Sequence, residues 1–364
     1  MRKIESLCHA ISLAAVLALA VTLAAPQARA ADSEAVFQPW VKRGVVIAPG
    51  FAGPRSTQRM SAPSVVKLKD GRLRMYFWTM GHPTADVAPG TEPFHYIFAA
   101  EASPANPFSW QLVKPEPMLS PATSGNIRDR GPSFPWVVPR DDAPWLMYYG
   151  AWGTWAPPKD LSNRTGLAIS KDQGITWEVL KETVLPLGKP GSYDAGLTGS
   201  VDVMRTGRDS YMMWYTAGER YQMVGDVYRG IVHIGMARSK DGIEWTKFPE
   251  PAMRARLDAV KEFEAVVSKP SVLLINGVYH MWFSIFDMQS KGYRLGYARS
   301  PDGVKWTRYY EQILPLTPDG FDSSNQSYPY VVDMGKQLWM FYTGNSFGST
   351  GIGLATLDKD KLRP

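Results

Sequence analysis

The sequence predicts an all-β fold built from five repeats of one four-stranded sheet, and three observations support this. Tryptophans recur at separations of 70, 67, 68 and 61 residues, a period long enough for one such sheet. Most of them end a similar phrase, such as Ser-Lys-Asp-Gly-Ile-Glu-Trp at 239–245. The same order of short apolar segments precedes each phrase. An internal repeat determines the whole architecture and is weighed before local signals. The repeat tryptophans are Trp40, Trp110, Trp177, Trp245 and Trp306.

Each repeat divides into segments typical of strands. The first is short and apolar and follows Pro or Gly with Ser, as at 62–68; the second is aromatic, as at 211–216. The third is rich in Gly and Ala, as at 232–237, and the fourth begins at the tryptophan. Asn-Gly and Asp-Gly pairs between the first two segments supply the positive φ angles that tight hairpins need. The sequence therefore predicts antiparallel four-stranded sheets.

The last repeat lacks a fourth strand, because the chain ends soon after residue 357. The segment 40–49, Trp-Val-Lys-Arg-Gly-Val-Val-Ile-Ala-Pro, is similar to 177–186 in a complete repeat. An N-terminal strand that completes the last sheet would close a ring and remove free sheet edges. We therefore predict one domain over residues 31–364, a five-bladed β-propeller closed by its N-terminal strand.

Several phrases resemble those of the five-bladed propeller glycosidases. They are Met-Tyr-Tyr-Gly at 147–150, Met-Trp-Tyr-Thr-Ala-Gly at 213–218 and Met-Phe-Tyr-Thr-Gly at 340–344, together with Ala-Arg-Ser-x-Asp-Gly-x-x-Trp. The families concerned are the arabinanase/xylosidase, invertase/levanase and mannoside-phosphorylase families. The resemblance covers most of residues 40–357. It implies the propeller fold and a carbohydrate substrate or ligand.

The first 30 residues have the pattern of a cleavable export signal. Arg2 and Lys3 form a basic start, and an apolar stretch of about 15 residues follows at 11–25. Small residues at 28–30 form a cleavage site. The stretch is shorter than the roughly 20 residues that a membrane-spanning helix needs. We therefore expect an exported protein, periplasmic or secreted.

Composition excludes several classes of function for the rest of the chain. Without residues 1–30 the formal net charge falls from +6 to about +4, and no run of Lys or Arg occurs, so a nucleic-acid partner is not indicated. The only cysteine, Cys8, lies in the export signal, which excludes disulfides and thiolate chemistry. No spacing of histidines or carboxylates indicates a metal site, and we expect no cofactor. The sequence makes no prediction of oligomeric state.

Loop length predicts which end of the sheets carries the site. Turns joining first to second and third to fourth strands are short and uniform, whereas the loops into each first strand and between second and third strands are long and varied. Function usually resides on such varied loops over a rigid scaffold. Aspartates in the uniform turns, Asp172, Asp241 and Asp302, are predicted to cap backbone amides.

Four carboxylates in the varied loops are the predicted acid and base groups. Glycosidic cleavage uses one carboxylate as acid and another as base or nucleophile. Asp129 lies between two arginines and interrupts the repeat pattern, and Glu219 is alone in its loop. The predicted catalytic residues are Asp129, Asp194, Glu219 and Glu264.

Basic, amide and aromatic side chains, together with one further carboxylate, are predicted to bind the substrate. Basic and amide groups would hold acidic or hydroxyl-rich sugars, and two tryptophans flanking Gly-Thr would stack on sugar faces. The predicted substrate-binding residues are Arg59, Arg128, Arg130, Trp152, Trp155, Lys269, Asp322 and Gln326.

Three of these carboxylates also have a structural interpretation. Asp194, Glu264 and Asp322 each follow a Tyr or Phe shortly before a first strand. A feature that recurs in three repeats is typical of a loop cap or of a salt bridge to the next blade. Both interpretations remain open at this point.

The sequence differs from the arabinanase/xylosidase-like families at their catalytic positions. In those families the first blade opens with Asp-Pro, and that aspartate is the base, whereas Ala62-Pro63 stands there in this chain. Gly131 and Thr198-Gly199 stand at the second- and third-blade positions. Either other carboxylates perform the chemistry, or the protein binds glycan without cutting it.

Three functional hypotheses follow. The first is a glycoside hydrolase that cleaves a poly- or oligosaccharide with paired carboxylates at the propeller axis. The second is a non-catalytic glycan-binding propeller of an exopolysaccharide or envelope system. The third is a sialidase-like enzyme with three arginines around a carboxylate; the five-fold period and the lack of a Tyr-Glu pair count against it. Fold alone does not separate them, because one scaffold hosts many functions.

Overall fold

Twenty β-strands make up most of the chain that the computed structural model describes, which is residues 38–84, 92–153, 163–224, 227–257, 264–309 and 312–362. The predicted all-β class is confirmed. The export signal and Trp155 lie outside the described residues. All described residues belong to one compact unit, Ala35–Pro364.

The strands form four-stranded antiparallel units. Unit 1 comprises β2 (Arg59–Lys67), β3 (Leu73–Gly81), β4 (Phe94–Ala102) and β5 (Gln111–Leu112). Unit 2 comprises β6 (Gly131–Val138), β7 (Trp145–Trp152), β8 (Arg164–Ser170) and β9 (Glu178–Leu185). Unit 3 comprises β10 (Leu197–Gly207), β11 (Ser210–Val224), β12 (Val227–Ser239) and β13 (Thr246–Lys247).

The remaining strands complete two further units. Unit 4 comprises β14 (Glu264–Ile275), β15 (Val278–Asp287), β16 (Gly292–Ser300) and β17 (Thr307–Tyr309). Unit 5 comprises β18 (Ser327–Asp333), β19 (Gln337–Thr343), β20 (Ile352–Asp358) and the N-terminal β1 (Val41–Ile47), which pairs antiparallel with β20. Short helical turns occupy Gly53–Ser56, Asn345–Gly348 and Lys359–Lys361.

The sequence predicts a separate sheet for each unit, but units 3 and 4 form one continuous sheet. One parallel pairing, Val232 with Val266, joins β12 to β14 and makes a single eight-stranded sheet. The long strands of unit 3 are the physical reason, since β12 extends far enough to run beside β14.

Each first strand contains a β-bulge at an equivalent position. The pairing register slips there, and one non-glycine residue adopts a left-handed backbone conformation, which is uncommon outside glycine. Neighbouring units hold some of these residues: the Lys269 amide donates to Thr216 Oγ1 at 2.9 Å, and the Tyr328 amide donates to Ser284 Oγ at 2.7 Å. The bulge residues and their φ angles are Ala62 (47°), Phe134 (47°), Ser200 (46°), Lys269 (47°) and Tyr328 (54°).

Hydrogen bonds two residues beyond each bulge link one unit to the next. In each unit the bond is made by the side chain two positions after the bulge residue. Three of these five side chains accept from a backbone amide, and two donate to a backbone carbonyl. The five bonds are Val137 N to Ser64 Oγ (3.1 Å), Trp136 Nε1 to Val203 O (3.1 Å), Val272 N to Asp202 Oδ2 (2.6 Å), Val331 N to Ser271 Oγ (2.9 Å) and Tyr330 OH to Val65 O (2.8 Å). The last bond links unit 5 to unit 1.

The repeat tryptophans also connect neighbouring units. Each packs near an aromatic residue at the same place in the second strand of another unit, with ring centroids about 6 Å apart. That unit is unit 5 for Trp110 and the preceding unit for the other four tryptophans. The pairs are Trp110 with Phe341 (6.0 Å), Trp177 with Tyr76 (5.8 Å), Trp245 with Tyr148 (6.0 Å), Trp306 with Trp214 (6.0 Å) and Trp40 with Trp282 (6.1 Å). Trp40 thus takes the place of a unit 5 tryptophan.

The turns before these tryptophans are held by their own side chains. Asp241 Oδ1 accepts from the amides of Ile243 and Glu244 at 2.8 and 2.9 Å, and Ser239 Oγ accepts from Gly242 N at 2.8 Å. Asp172 and Asp302 make equivalent bonds. The three aspartates therefore cap backbone amides, as the sequence predicts.

Candidate functional site

Three of the nominated carboxylates form buried ion pairs at equivalent places. The acid stands at the start of the first strand or in the loop that leads into it, and the cation stands two residues after the repeat tryptophan, on the outermost strand. The pairs are Asp194 with Lys247 (2.6 Å), Glu264 with Arg308 (2.6 Å) and Asp322 with Lys42 (2.6 Å). These ion pairs fix the lead-in loop to the outer strand of the same unit. The structural interpretation proposed a salt bridge to the next blade, and the observed partner lies instead in the same blade unit.

Unit 2 contains the same link with its charges reversed. Arg128 precedes its bulge residue, Phe134, by the same six positions that separate Asp194 from Ser200. Its Nε lies 3.5 Å from Glu182 of β9, and Tyr149 OH donates to Glu182 at 3.2 Å. Arg128 therefore occupies a structural position that the sequence analysis did not recognise.

Gln326 and Asp322 belong to the same buried link in unit 5. Gln326 Nε2 donates to Asp322 Oδ2 at 2.7 Å and to Pro315 O at 3.0 Å, and Tyr342 OH donates to Asp322 at 3.0 Å. These contacts hold the loop that leads into β18.

Asp129 and Arg130 stabilise the loop before β6. Asp129 is buried, and its Oδ2 accepts from Gly125 N at 2.9 Å. Arg130 pairs with the exposed Glu92 at 2.7 Å and lies 5.0 Å from the Phe94 ring. The two neighbours thus have separate partners.

Lys269 is fully buried at its bulge and extends toward Trp136, whose ring centroid lies 4.7 Å from its Nζ. Its ammonium has no hydrogen-bond partner among the described residues, and neither does Asp202 Oδ1. Burial lowers the pKa of Lys269 and raises the pKa of Asp202, while each charge opposes the shift of the other. Lys269 of β14 thus lies close to residues of two other first strands, Trp136 of β6 and Asp202 of β10.

An aromatic cleft of about 420 Å³ lies where the varied loops of units 2 to 5 meet. Three bulge residues, Phe134, Ser200 and Tyr328, contribute to its lining. Seven of its described lining residues are aromatic, and no Asp or Glu of the described ranges is among them. The aromatic residues are Phe134, Trp152, Tyr221, Tyr228, Tyr293, Tyr328 and Phe347.

One edge of the cleft is the long hairpin of β11 and β12. A register shift between Gly218 and Arg220 allows the hairpin to continue beyond the bulge. Tyr221 and Tyr228 stack across it with ring centroids 5.5 Å apart at 13°. Tyr228 is 52% exposed, so an aromatic face remains available to a ligand.

Arg229 follows this stacked pair and lines the cleft. Its Cζ lies 3.5 Å from the Phe286 ring centroid, and its buried Nε has no hydrogen-bond partner among the described residues. A buried donor without a partner is costly, so this atom is suited to meet an acceptor on a ligand.

Glu219 lies at the hairpin register shift, next to Gly218, whose strand partners Leu197 and Val232 line the cleft. His233 Nδ1 accepts from Ala255 N at 3.0 Å, so in the neutral ring Nε2 carries the proton and donates to Glu219 Oε2 at 3.1 Å. Burial, reinforced by Arg254 and Arg220, lowers the pKa of His233 to about 4. Arg220 also pairs with Glu219.

The cleft contains few of the predicted site residues. Trp152 lines the cleft, with its Nε1 donating to Ser133 Oγ at 2.6 Å, and Arg59 lies 5.4 Å from the ring of Phe347. The other nominated residues that the structure describes do not line the cleft. Sequence reasoning missed Tyr221, Tyr228 and Arg229. The available signal was the composition of the loop between the second and third segments of the third repeat, because residues 217–231 contain two tyrosines and two arginines.

Two further features concern metals and membranes. Across the described ranges, no group of three or more His, Cys, Asp or Glu side chains is arranged to hold a metal ion. None of the helices in those ranges has the length and apolar character needed to cross a membrane.

Solved structures of glycoside hydrolases share this fold. A protein described as a glycoside hydrolase is 20% identical with a TM-score of 0.65, and the match covers 90% of this protein and 93% of that one. A thermostable family-43 glycoside hydrolase is 17% identical with a TM-score of 0.59, covering 87% and 91%. A protein from the GH130 family of mannoside phosphorylases, which contains glycoside hydrolases that target β-1,2 mannosidic linkages in Candida mannan, is 14% identical with a TM-score of 0.63, covering 89% and 95%. At these identities the likeness establishes the fold.

Sequence comparison gives a more similar relative. No model of a known protein family matches the chain. The uncharacterized proteins Rv1502 and MT1551 of two Mycobacterium tuberculosis strains are each 31% identical over 248 residues, covering 68% of this chain and 78% of the relative. The chain therefore belongs to the same family as these mycobacterial proteins, and it has the propeller-like fold of the glycoside hydrolases.

Proposed function

We propose that this protein binds a poly- or oligosaccharide in the aromatic cleft. The observation that carries the proposal is the stacked pair Tyr221 and Tyr228, with Tyr228 half exposed at the edge of an aromatic concavity. Aromatic faces suit the apolar faces of sugar rings, while a few polar groups fix orientation. Asn163, Ser200 and Arg229 supply such groups.

The comparisons support a carbohydrate ligand. The solved structures of similar fold include proteins described as glycoside hydrolases, although a shared fold does not transmit a function by itself. The cleft lies at the end of the sheets that the loop lengths of the sequence favour. The proposal thus has support from fold, loop placement and lining chemistry.

The geometry favours binding over cleavage by paired carboxylates. Such cleavage needs two carboxyl groups about 5 to 10 Å apart across the bound sugar. Asp194 and Glu264 are each held by a cation of the outer strand, and Asp129 accepts from its own loop. None of them lines the cleft in the described part of the chain.

Hydrolysis is the second candidate, and Glu219 is the observation that favours it. Its side chain is 20% exposed, stands at the cleft edge and is oriented by the neutral His233. In this case Glu219 would act with a second carboxylate, and Asp129 is the residue that the sequence predicts for this role.

A glycan panel separates the two candidates. Purified protein is titrated with neutral and acidic oligosaccharides by calorimetry, and the same mixtures are assayed for new reducing ends. We expect binding that Tyr228→Ala weakens at least tenfold and no new reducing ends. Reducing ends that disappear with Glu219→Gln would establish hydrolysis instead, and no binding across the panel would overturn the proposal.

We also propose that the five units close into a five-bladed propeller and that the protein is exported. The bond from Tyr330 to Val65 and the pairing of β1 with β20 support closure. The basic, apolar and small-residue order of residues 1–30 supports export. N-terminal sequencing of protein from the periplasm or medium tests export, and a chain that begins at Met1 in the cytoplasm would contradict it.

A further inference from the structure

We propose that the cleft selects glycans that carry a carboxylate, such as those containing uronic acids, and that Arg229 binds this group. The inference rests on the proposed function and names its ligand class. It begins from the charge of the cleft: Arg229 lines it, and no described Asp or Glu does. A cationic site without an internal counter-charge favours an anionic partner.

Among the residues that the structure describes, Arg229 is held by stacking and its donors have no acceptor. Its guanidinium lies on Phe286, 3.5 Å from Cζ to ring centroid, and Phe286 packs edge-on against Tyr293 at 5.1 Å. Stacking of this kind fixes the guanidinium plane while its N–H groups stay available. The described residues give Arg229 no ion pair, and its buried Nε has no acceptor. A carboxylate would supply two acceptor oxygens to this planar fork.

A second cation supports the same charge preference. Arg59 lies 5.4 Å from Phe347, a lining residue, and makes no ion pair within the described ranges. Burial raises the pKa of Tyr328, and the charges of both Arg59 and Arg229 oppose that rise. Both guanidinium groups therefore act on the same cleft residue.

The chain offers a matched control on the same strand. Arg238 of β12 also lies on a phenylalanine, 4.8 Å from the Phe248 ring, but it borders the turns before Trp245 and not the cleft. Arg229→Gln and Arg238→Gln remove the same charge from the same strand. A change confined to Arg229→Gln therefore reports on the cleft and not on overall charge.

The experiment compares probes that differ only in the carboxylate. Oligogalacturonate and an oligoglucuronate are titrated beside their carboxyl-reduced forms, with dextran sulfate as a second anion. We expect at least one uronate to bind tenfold or more tightly than its reduced form, and more weakly as salt rises. Arg229→Gln should abolish that difference and leave the reduced forms within twofold, while Arg238→Gln should change neither.

The outcomes distinguish this inference from the proposed function. If reduced and neutral probes bind as tightly as uronates and depend on Tyr228, the glycan-binding function stands and the carboxylate preference is overturned. Tighter, Arg229-dependent binding of dextran sulfate than of any uronate overturns the assignment to a carboxylate. If no uronate binds while another oligosaccharide of the glycan panel does, the carboxylate preference is overturned and the glycan-binding function stands. If neither these probes nor the panel bind, both proposals fall.

Discussion

Two concave regions of the molecule, one formed by short turns between strands and one formed by the longer, varied loops, can be compared. Their linings differ in chemistry. The groove formed by the short turns of units 1 and 2 has a volume of about 510 Å³ and a charged lining that includes Lys69, Arg140 and Asp141. The cleft formed by the varied loops has an aromatic lining and Arg229. The short turns before Trp177, Trp245 and Trp306 satisfy their backbone amides with their own side chains. Loops that differ between units leave aromatic faces and a donor available.

Removal of β1 should have the largest effect of these changes, because it removes contacts of the regular strand framework. A chain that begins at residue 50 loses the strand that pairs with β20, the Trp40 contact with Trp282 and the Lys42 partner of Asp322. We expect loss of cooperative thermal unfolding in circular dichroism, because an edge is exposed and a buried carboxylate is left unpaired. Adding a peptide of residues 38–49 should restore the transition. An unchanged melting temperature without β1 would show that the strand is dispensable.

Glu264→Ala tests whether the buried ion pairs are structural. Glu264 and Arg308 have side chains that are only 6% and 8% exposed, so removing the acid leaves a buried cation. We expect a loss of about 3–5 kcal/mol in the free energy of unfolding, measured by urea denaturation. Glu250→Ala, which breaks an exposed pair with Arg254, should cost about 0–1 kcal/mol. Unchanged stability of Glu264→Ala would show that the buried pair does not stabilise the fold.

The buried histidines predict an acid sensitivity of the fold. Burial lowers the pKa of His233 to about 4, whereas an unfolded histidine titrates near 6.5. The unfolded chain therefore binds the proton first, and stability present above about pH 6.5 is lost as pH falls toward 4. We expect the loss for His233 to reach roughly 2–3 kcal/mol. His233→Gln should flatten the dependence of urea midpoint on pH in this window, and an unchanged slope would contradict the assignment.

Tyr228→Ala should have the smallest effect on stability. It tests the cleft, where we expect a substitution to change glycan affinity and not the fold. The side chain is 52% exposed, so we expect a change within about 0.5 kcal/mol in the free energy of unfolding. Glycan affinity should nevertheless fall at least tenfold, which is about 1.4 kcal/mol. Leu180→Ala, at 44% exposure on β9, provides the control that should alter neither quantity. Equal affinity of Tyr228→Ala and wild type would exclude the stacking role.

The regular parts of the fold could be predicted from the sequence, because they depend on local chemistry repeated five times. Asp241 and its turn, the aromatic second strands and the tryptophan period all follow from short-range patterns. Trp40 was assigned to the last repeat by similarity alone, and it packs on Trp282 as that place requires.

The site could be predicted only in part, because residue type does not reveal the partner. Carboxylates were nominated for catalysis, yet Asp194 and Glu264 meet cations more than 40 residues away. The reversed pair of Arg128 and Glu182 has no sequence signature, because the partners exchanged places between loop and strand. Arg229 of unit 3 meets Phe286 of unit 4 only through the contact of the two units.

The five bulges have a consequence for how such a protein can be altered. Alanine, phenylalanine, serine, lysine and tyrosine stand at equivalent positions with φ angles between 46° and 54°. The backbone shape there does not depend on the side chain that it carries, since the restraint comes from hydrogen bonds of the adjoining strands. Volume, charge and polarity can therefore differ between these positions while the scaffold persists. A combinatorial library over the three of them that line the cleft, Phe134, Ser200 and Tyr328, would search new ligand preferences without redesigning the fold.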